Sequence, residues 1–258
     1  MKYSLRDVAR RFSTSFPAML DLERRKKKGR KVAAILEDAL ASQKVDVVLD
    51  IGCSNALILD VVAQRLKPAL AIGIDLDATT MPQPQPRRSL LIADGMALPI
   101  QSGQVDVVIC NHTYEHVPAA EQLFVEIWRV LRPGGFVYFS AMNARWPMEP
   151  HFHLPFIHWL PHWMSRLLMR MAGHRHGYLE RPLGTAALRR LVSKFELRDY
   201  TLRAIRDPER FEADDLMPRS RLRWAYLLVA RLAYEVLPGY LWILVKPATN
   251  SESSRFDK

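Results

Sequence analysis

Apolar residues along this chain fall into two rhythms. Near-continuous runs of Val, Ile and Leu occupy 45–51, 69–75, 89–93 and 105–111, and an aromatic-rich run, FVYFSAM, occupies 136–142. Runs this short, bounded by turn residues, read as strands buried on both faces of a parallel sheet. Between them the period becomes helical. Residues 32–40 carry the packing stripe of a helical region over 1–44, LILDVVAQRLK forms a helix to about Lys67, and AEQLFVEIWRVL at 120–131 is strongly amphipathic. Prolines at 82, 84 and 86 forbid a regular helix between the second and third strands. Later come a helix at 185–195, an alternating strand at 197–205, a helical stretch at 221–237 and a last strand at 240–246. The polar tail after Pro247 reads as disordered.

Strands alternating with helices predict a parallel sheet with right-handed crossovers and helices on both faces. Such sheets bind ligands at the carboxyl ends of the strands, where the strand order reverses. Asp50 to Ala56, Asp75, Asp94 and Asn111 all fall at such ends. The stretch VDVVLDIGCSNA places a small-residue turn between strand and helix, where backbone N–H groups can face a polar ligand. The same turn serves as an ordinary crossover in many α/β chains, so its meaning depends on its neighbours.

Composition adds limits. The chain has 258 residues, 49% hydrophobic and 25% charged, which fits one α/β domain with room for insertions. The organisation expected is one domain over 1–247, with an N-terminal helical region (1–44), an inserted lid (144–180), a second helical insertion (206–238) and the tail 248–258. Cys53 and Cys110 both sit at strand ends and read as reduced core or loop residues. The start, MKYSLRDVARRF, lacks the apolar core of a signal peptide, so a cytoplasmic location is expected, with peripheral membrane contact as the alternative. The net charge is +10, and seven basic residues lie within 24–31. That run is either a solvated helix start or a surface for an anionic partner, with an anionic membrane ahead of nucleic acid because no nucleic-acid-binding motif accompanies it.

Residues 144–180 break the alternation and hold six of the eight histidines among tryptophans and prolines. Zinc sites want three or four ligands at suitable spacing, and no cysteine lies near, so no metal is expected. An aromatic lid over a hydrophobic acceptor is the preferred reading of 146–171. Residues 224–245 approach membrane-spanning length, but Arg231, Glu235 and Pro238-Gly239 interrupt them, and a core helix followed by a strand is the better account.

The ordered set VLDIGCSNA, GIDLD (73–77), ADGMALP (93–99), VVICNHTYEHV (107–117) and LRPGG (131–135) resembles the type-11 family of class I S-adenosylmethionine-dependent methyltransferases over roughly 40–145. The resemblance implies a Rossmann-like, mostly parallel seven-stranded sheet with an antiparallel last strand. It implies S-adenosyl-L-methionine as cofactor, held at its methionine end by Asp50 and the loop Gly52, Cys53 and Ser54. Asp75, with Leu76 beside it, would take the ribose hydroxyls. Asp94, the Gly95 backbone and Met96 would take the adenine, and Asn111 and His112 would line the wall near the sulfonium. One departure stands out: the family's Gly-x-Gly-x-Gly loop reads Gly52-Cys53-Ser54-Asn55-Ala56 here. Ser and Ala resist positive φ, so the loop is expected to avoid that conformation at those positions; otherwise cofactor affinity suffers.

The function expected from this resemblance is methyl transfer to a small or lipid-linked hydrophobic acceptor by in-line displacement. Candidate bases for a hydroxyl acceptor are His112, Glu115, His116, His151 and His153. The rivals are a non-catalytic protein binding S-adenosylmethionine or S-adenosylhomocysteine, and an RNA-modifying methyltransferase. A nicotinamide dehydrogenase is weaker, because its Gly-x-Gly-x-x-Gly loop lacks its second and third glycines here. The acceptor atom and the oligomeric state are not legible.

Overall fold

The computed structural model describes residues 21–83, 85–149, 154–173, 178, 180–216 and 223–248. The helical region expected before residue 21, and the tail from 249, lie outside them. Strands β1 (Val47–Ile51), β2 (Leu70–Asp75), β3 (Arg88–Ile92), β4 (Val105–Asn111), β5 (Leu131–Met142), β6 (Glu196–Asp199) and β7 (Gly239–Val245) form one sheet ordered β3-β2-β1-β4-β5-β7-β6. β7 runs antiparallel to β5 and β6, and the other pairings are parallel. β1 lies between β2 and β4, so the order reverses there, and in open α/β sheets ligands take the crevice at the carboxyl ends of such strands, here β1 and β4.

Seven helices cover the faces among the described residues: α1 (Leu22–Leu40), α2 (Leu57–Leu66), α3 (Ala120–Val130), α4 (His162–Met171), α5 (Thr185–Leu191), α6 (Thr201–Arg206) and α7 (Arg223–Leu232). The strand period of two divides the core between them. Val48, Val107, Ile109, Tyr138 and Ile243 pack on one face with Val32, Leu36, Leu59 and Ala204 of α1, α2 and α6. Leu49, Ile51, Val108, Phe139 and Trp242 pack on the other with Leu123, Ile127, Leu188 and Ala230 of α3, α5 and α7. α1 and α2 meet closely at Gly29, where a Cβ would stand 2.9 Å from Val61 Cβ.

The basic run belongs to the body of α1, capped by Asp21, which accepts from the Arg24 N–H at 2.9 Å. Much of its charge is answered inside the molecule. Lys31 is buried and pairs with Asp215 at 2.5 Å, and Arg30 pairs with Glu212 at 3.3 Å.

The expected strand at 197–205 needs correction. β6 stops at Asp199, whose Oδ1 accepts from the Thr201 N–H at 2.8 Å, and α6 follows at once. The alternation there also fits a helix: Tyr200 and Ala204 are one turn apart and both enter the core. The helix expected at 185–195 ends at Leu191, and α7 with a short 3-10 turn (Tyr234–Val236) occupies the stretch expected at 221–237.

Candidate functional site

β1 delivers Asp50 to the crevice, and the chain turns through Gly52–Ala56 into α2. Gly52 lies at φ +78°, and a Cβ there would stand 2.9 Å from Thr113 Oγ1. That hydroxyl donates to Ile51 O at 2.8 Å, locking the turn after β1 to the turn after β4. The Gly52 and Cys53 N–H groups both donate to Ile74 O, at 2.7 and 3.1 Å, which pins the loop across to β2.

Ser54 and Ala56 take φ of 49° and 57°, both left-handed. The expectation that the loop avoids this conformation is therefore overturned. A left-handed non-glycine residue costs about 1–2 kcal/mol, and local bonds offset it. The Ser54 N–H donates to Asp75 Oδ2 at 2.8 Å. The Ala56 N–H donates to Cys53 O at 2.9 Å, and Ala56 O accepts the Asp60 N–H at 2.8 Å to start α2. The loop thus keeps a glycine-like path with two of the smallest side chains, and the sequence departure is no mark of a collapsed site.

Three ionisable groups converge on this loop. Burial pushes the Asp50 carboxyl up to about 7; Arg25 opposes the shift and Asp75 adds to it. Burial also raises Asp75, against the hydrogen bonds it accepts from the backbone of Asp77 (2.9 Å) and Ser54. Arg25 reaches in from the first turns of α1, its Nη2 donating to Cys53 O at 3.4 Å. Its burial lowers its pKa, and Asp50, Cys53 and Asp75 counter that. Among the described residues nothing accepts a hydrogen bond from its buried Nε.

Leu76 sits half-buried beside Asp75. The Ala93 N–H donates to Asp75 O at 3.1 Å, which brings Asp94 to the same edge. Asp94 Oδ1 accepts the Met96 N–H at 2.9 Å, forming a tight turn over Gly95. A Cβ on Gly95 would meet Ile51 Cγ2 at 2.8 Å, so only glycine allows this close approach to β1. Met96 packs its half-buried side chain on the core under α3.

β4 ends in Asn111, and His112 follows at φ 53° with its N–H on Ser140 O at 3.0 Å. The ring is held on both sides: Nδ1 lies 3.1 Å from Glu115 Oε1 and Nε2 lies 3.0 Å from Ser140 Oγ. Glu115 is fully buried. Burial pushes its pKa up, yet the hydrogen bond and charge of His112, with the charge of His116, hold it below the usual carboxylate range. An ionised Glu115 can only accept, so Nδ1 carries a proton toward it, and in the neutral imidazole Nε2 is then the nitrogen left to accept, facing the Ser140 hydroxyl. His116 is half-buried, and its charge also acts on Glu115. His151 and His153 lie outside the described residues, as do His174 and His176 of the histidine cluster.

The carboxyl edge thus gathers Asp50, Gly52, Cys53, Ser54, Asp75, Leu76, Asp94, Gly95, Asn111 and His112 in one place. Sequence reasoning missed Arg25, Thr113 and Ser140. Arg25 was hidden in a basic run; only its helical phase, seven residues before buried Val32, could have shown it turned inward.

A sequence model described as a methyltransferase domain matches residues 49–139, which span β1 to most of β5. A malonyl-[acyl-carrier protein] O-methyltransferase of Marinomonas sp. is 30% identical over 150 residues, covering 54% of this chain and 52% of that protein. A demethylmenaquinone methyltransferase of Roseiflexus castenholzii is 31% identical over 129 residues, covering 48% of this chain and 52% of that protein. This chain thus spans about half the length of these curated relatives. Among solved structures, a Haloferax volcanii methyltransferase in complex with the Trm112 activator covers 96% of this chain and 99% of its own, with a TM-score of 0.53 and 16% identity, a likeness of fold.

Proposed function

We propose that this chain, a member of the type-11 family of class I S-adenosylmethionine-dependent methyltransferases, transfers a methyl group to an apolar, small or lipid-linked acceptor at the carboxyl edge of its sheet. The observation that carries the reading is the convergence of Arg25, Asp50 and Asp75 on the left-handed loop Gly52–Ala56. S-adenosylmethionine is the cofactor, and when bound it supplies a methyl on a positively charged sulfur, open to in-line displacement.

The residues present fit that molecule. Asp50 is a buried carboxylate short of positive charge, suited to the ammonium of an amino acid, and the unmet Nε of Arg25 suits its carboxylate. Asp75 retains lone pairs beyond its two backbone bonds for ribose hydroxyls. Asp94 and the Gly95 backbone stand at the next strand end, where an adenine amino group and ring nitrogen would be met.

This chain contributes alignment and proton handling. Holding reactants in line can supply about 7–11 kcal/mol of the barrier, and a general base typically adds about 10²–10⁴-fold. His112 is the base that the geometry favours. A hydroxyl acceptor reaching Nε2 takes the place of the Ser140 proton, and Glu115 steadies the imidazolium that results. His116 is the weaker candidate, because its influence reaches Glu115 through charge alone, whereas the His112 ring is hydrogen-bonded on both sides. An acyl-carrier malonyl group and a quinone precursor, the substrates that the relatives' names carry, support an acceptor on a carrier or a lipid.

Titration calorimetry with S-adenosylmethionine, followed by radiolabelled methyl transfer to polyprenylated phenols and acyl-carrier substrates, tests the proposal. Cofactor binding with turnover on an apolar acceptor is the expected result. Binding without turnover on any acceptor of either class would favour a non-catalytic binder.

A further inference from the structure

Helices α4 and α7 share a surface pattern that the site does not use. On α4, Trp163, Leu167 and Met171 recur at i, i+4 and i+8, exposed to 68%, 53% and 74%. On α7, Trp224, Leu228 and Leu232 recur at the same spacing, exposed to 69%, 52% and 81%. Each stripe therefore leaves large apolar side chains in water that an ordinary surface helix would bury. Neither helix contains an acidic residue, and exposed arginines border both: Arg166 and Arg170 beside the first stripe, Arg231 beside the second.

The segments that flank the two helices are each tied to the end of β5. Met142 at the end of β5 pairs with Gly239 at the start of β7. Just beyond, the Asn143 side-chain amide donates to Glu235 O at 3.0 Å and Leu237 O at 2.8 Å, fixing the segment that leaves α7. The next residue, Ala144, accepts from Trp159 Nε1 at 2.5 Å, fixing the segment that leads into α4. Both helices are thus moored at the carboxyl edge of the sheet, beside the crevice described above.

We propose that α4 and α7 together dock this protein on an anionic phospholipid bilayer, tryptophan stripes entering the interface and arginines meeting lipid phosphates. Trp is favoured at the level of lipid headgroups, and basic residues are attracted to anionic leaflets. Among the described residues no helix is long and apolar enough to cross a membrane, so the contact is one of lying on the surface. A second copy of this chain is the competing occupant, but arginine-bordered stripes without carboxylates offer no charge complement to each other. The inference deepens the methyl-transfer proposal, because it puts the crevice where a lipid-linked acceptor would arrive.

Cosedimentation of the full chain with phosphatidylcholine vesicles, with and without phosphatidylglycerol, tests this. We expect binding only where phosphatidylglycerol is present, weakening as salt is raised, and at least tenfold loss in W163S/L167S, in W224S/L228S and in R166E/R170E. These positions are exposed, so cofactor affinity by calorimetry should stay at the wild-type value in each variant. Absent binding to the phosphatidylglycerol vesicles, or variants that bind them as well as wild type, would overturn the inference. So would a dimer by light scattering that the stripe substitutions dissolve. Vesicle binding without cofactor binding would spare this inference and sink the methyl-transfer reading, and the reverse result would do the opposite.

Discussion

The Ser54 backbone N–H donates to Asp75 Oδ2 at 2.8 Å, so the carboxylate at the tip of β2 organises the loop that leaves β1. A loop that keeps only the first of its usual glycines is held in a left-handed path by a side chain from the neighbouring strand. Asp75 thus has two tasks, shaping the loop and offering its remaining lone pairs to a ligand. Replacing Asp75 with Ala removes both and should weaken S-adenosylmethionine binding at least tenfold by calorimetry, with far-ultraviolet circular dichroism unchanged. Asp75→Asn keeps one acceptor oxygen and should fall between. Wild-type affinity in Asp75→Ala would end the assignment.

How far the sequence led can be judged from such contacts. β1, β2, β4 and β5 were legible because both faces are buried, leaving near-continuous apolar runs; β3 has the same kind of run but lies at the sheet edge with Leu91 and Ile92 exposed, so the expectation of two buried faces fails for it. β6 was misjudged because the alternation around Tyr200 and Ala204 satisfies strand and helix alike, and the turn in which Asp199 accepts the Thr201 N–H is what separates the two. Carboxylates at strand tips were legible from position alone. The phase that turns Arg25 and Lys31 inward was not, because a dense basic run looks solvated whichever way each residue points. The backbone of Ser54 depended on a long-range bond to Asp75, which no local propensity contains, and Ala56 follows it through a turn bond to Cys53.

Strain in that loop is open to measurement. Ser54→Gly relieves a left-handed residue costing about 1–2 kcal/mol and gives back about 0.5–1 kcal/mol in chain entropy. A net gain of up to about 1 kcal/mol in urea unfolding should result. Ala56→Gly also loses a buried methyl, worth about 0.8 kcal/mol, and should come out near neutral. Ala56→Val forces a β-branched residue into the same φ and should destabilise by clearly more than 1 kcal/mol. Equal stability of Ala56→Val and wild type would contradict the left-handed assignment.

The Asp50 carboxyl gives the free protein a pH dependence. Its pKa rises from an ordinary 3.8 to about 7 on folding, chiefly through burial, so between those values the folded state binds more protons than the unfolded. This group's contribution to stability therefore falls as pH rises from about 4 to about 7 and levels off above. Asp50→Asn should flatten that slope in pH-dependent urea unfolding. A bound ammonium favours the ionised carboxylate, so wild-type cofactor affinity should increase over the same window while Asp50→Asn stays weak and flat. A slope that persists in Asp50→Asn would assign it to another group.

Arg25 should matter to the same equilibrium. Its charge opposes the upward shift of Asp50, so Arg25→Ala should move the pH at which cofactor affinity levels off upward. It should also weaken binding about tenfold, on the scale of a lost charge-assisted hydrogen bond. Arg25→Lys keeps the charge without the planar fork and should restore the pH profile more than the affinity. If Arg25→Ala altered stability alone, with affinity and profile unchanged, the residue would be a packing element of α1.

The chain from Glu115 through His112 to Ser140 makes the sharpest kinetic prediction. Glu115 is buried, held ionised by His112 and His116, and fixes which ring nitrogen of His112 can accept a proton. Glu115→Gln can still hydrogen-bond Nδ1 but carries no charge to stabilise an imidazolium, so it acts on the base and not on the acceptor. Turnover on a hydroxyl acceptor should fall by about 10²-fold, within the range of a general base, while KM and cofactor affinity change little. His112→Gln should lose at least as much, and the double substitution should cost scarcely more than His112→Gln, because the two residues act as a unit. Ser140→Ala frees Nε2 from its present donor and should leave turnover within a few-fold of wild type. Should Glu115→Gln instead raise KM with kcat untouched, the pair would be scaffolding for the turn after β4, and the base would have to be sought elsewhere along the crevice.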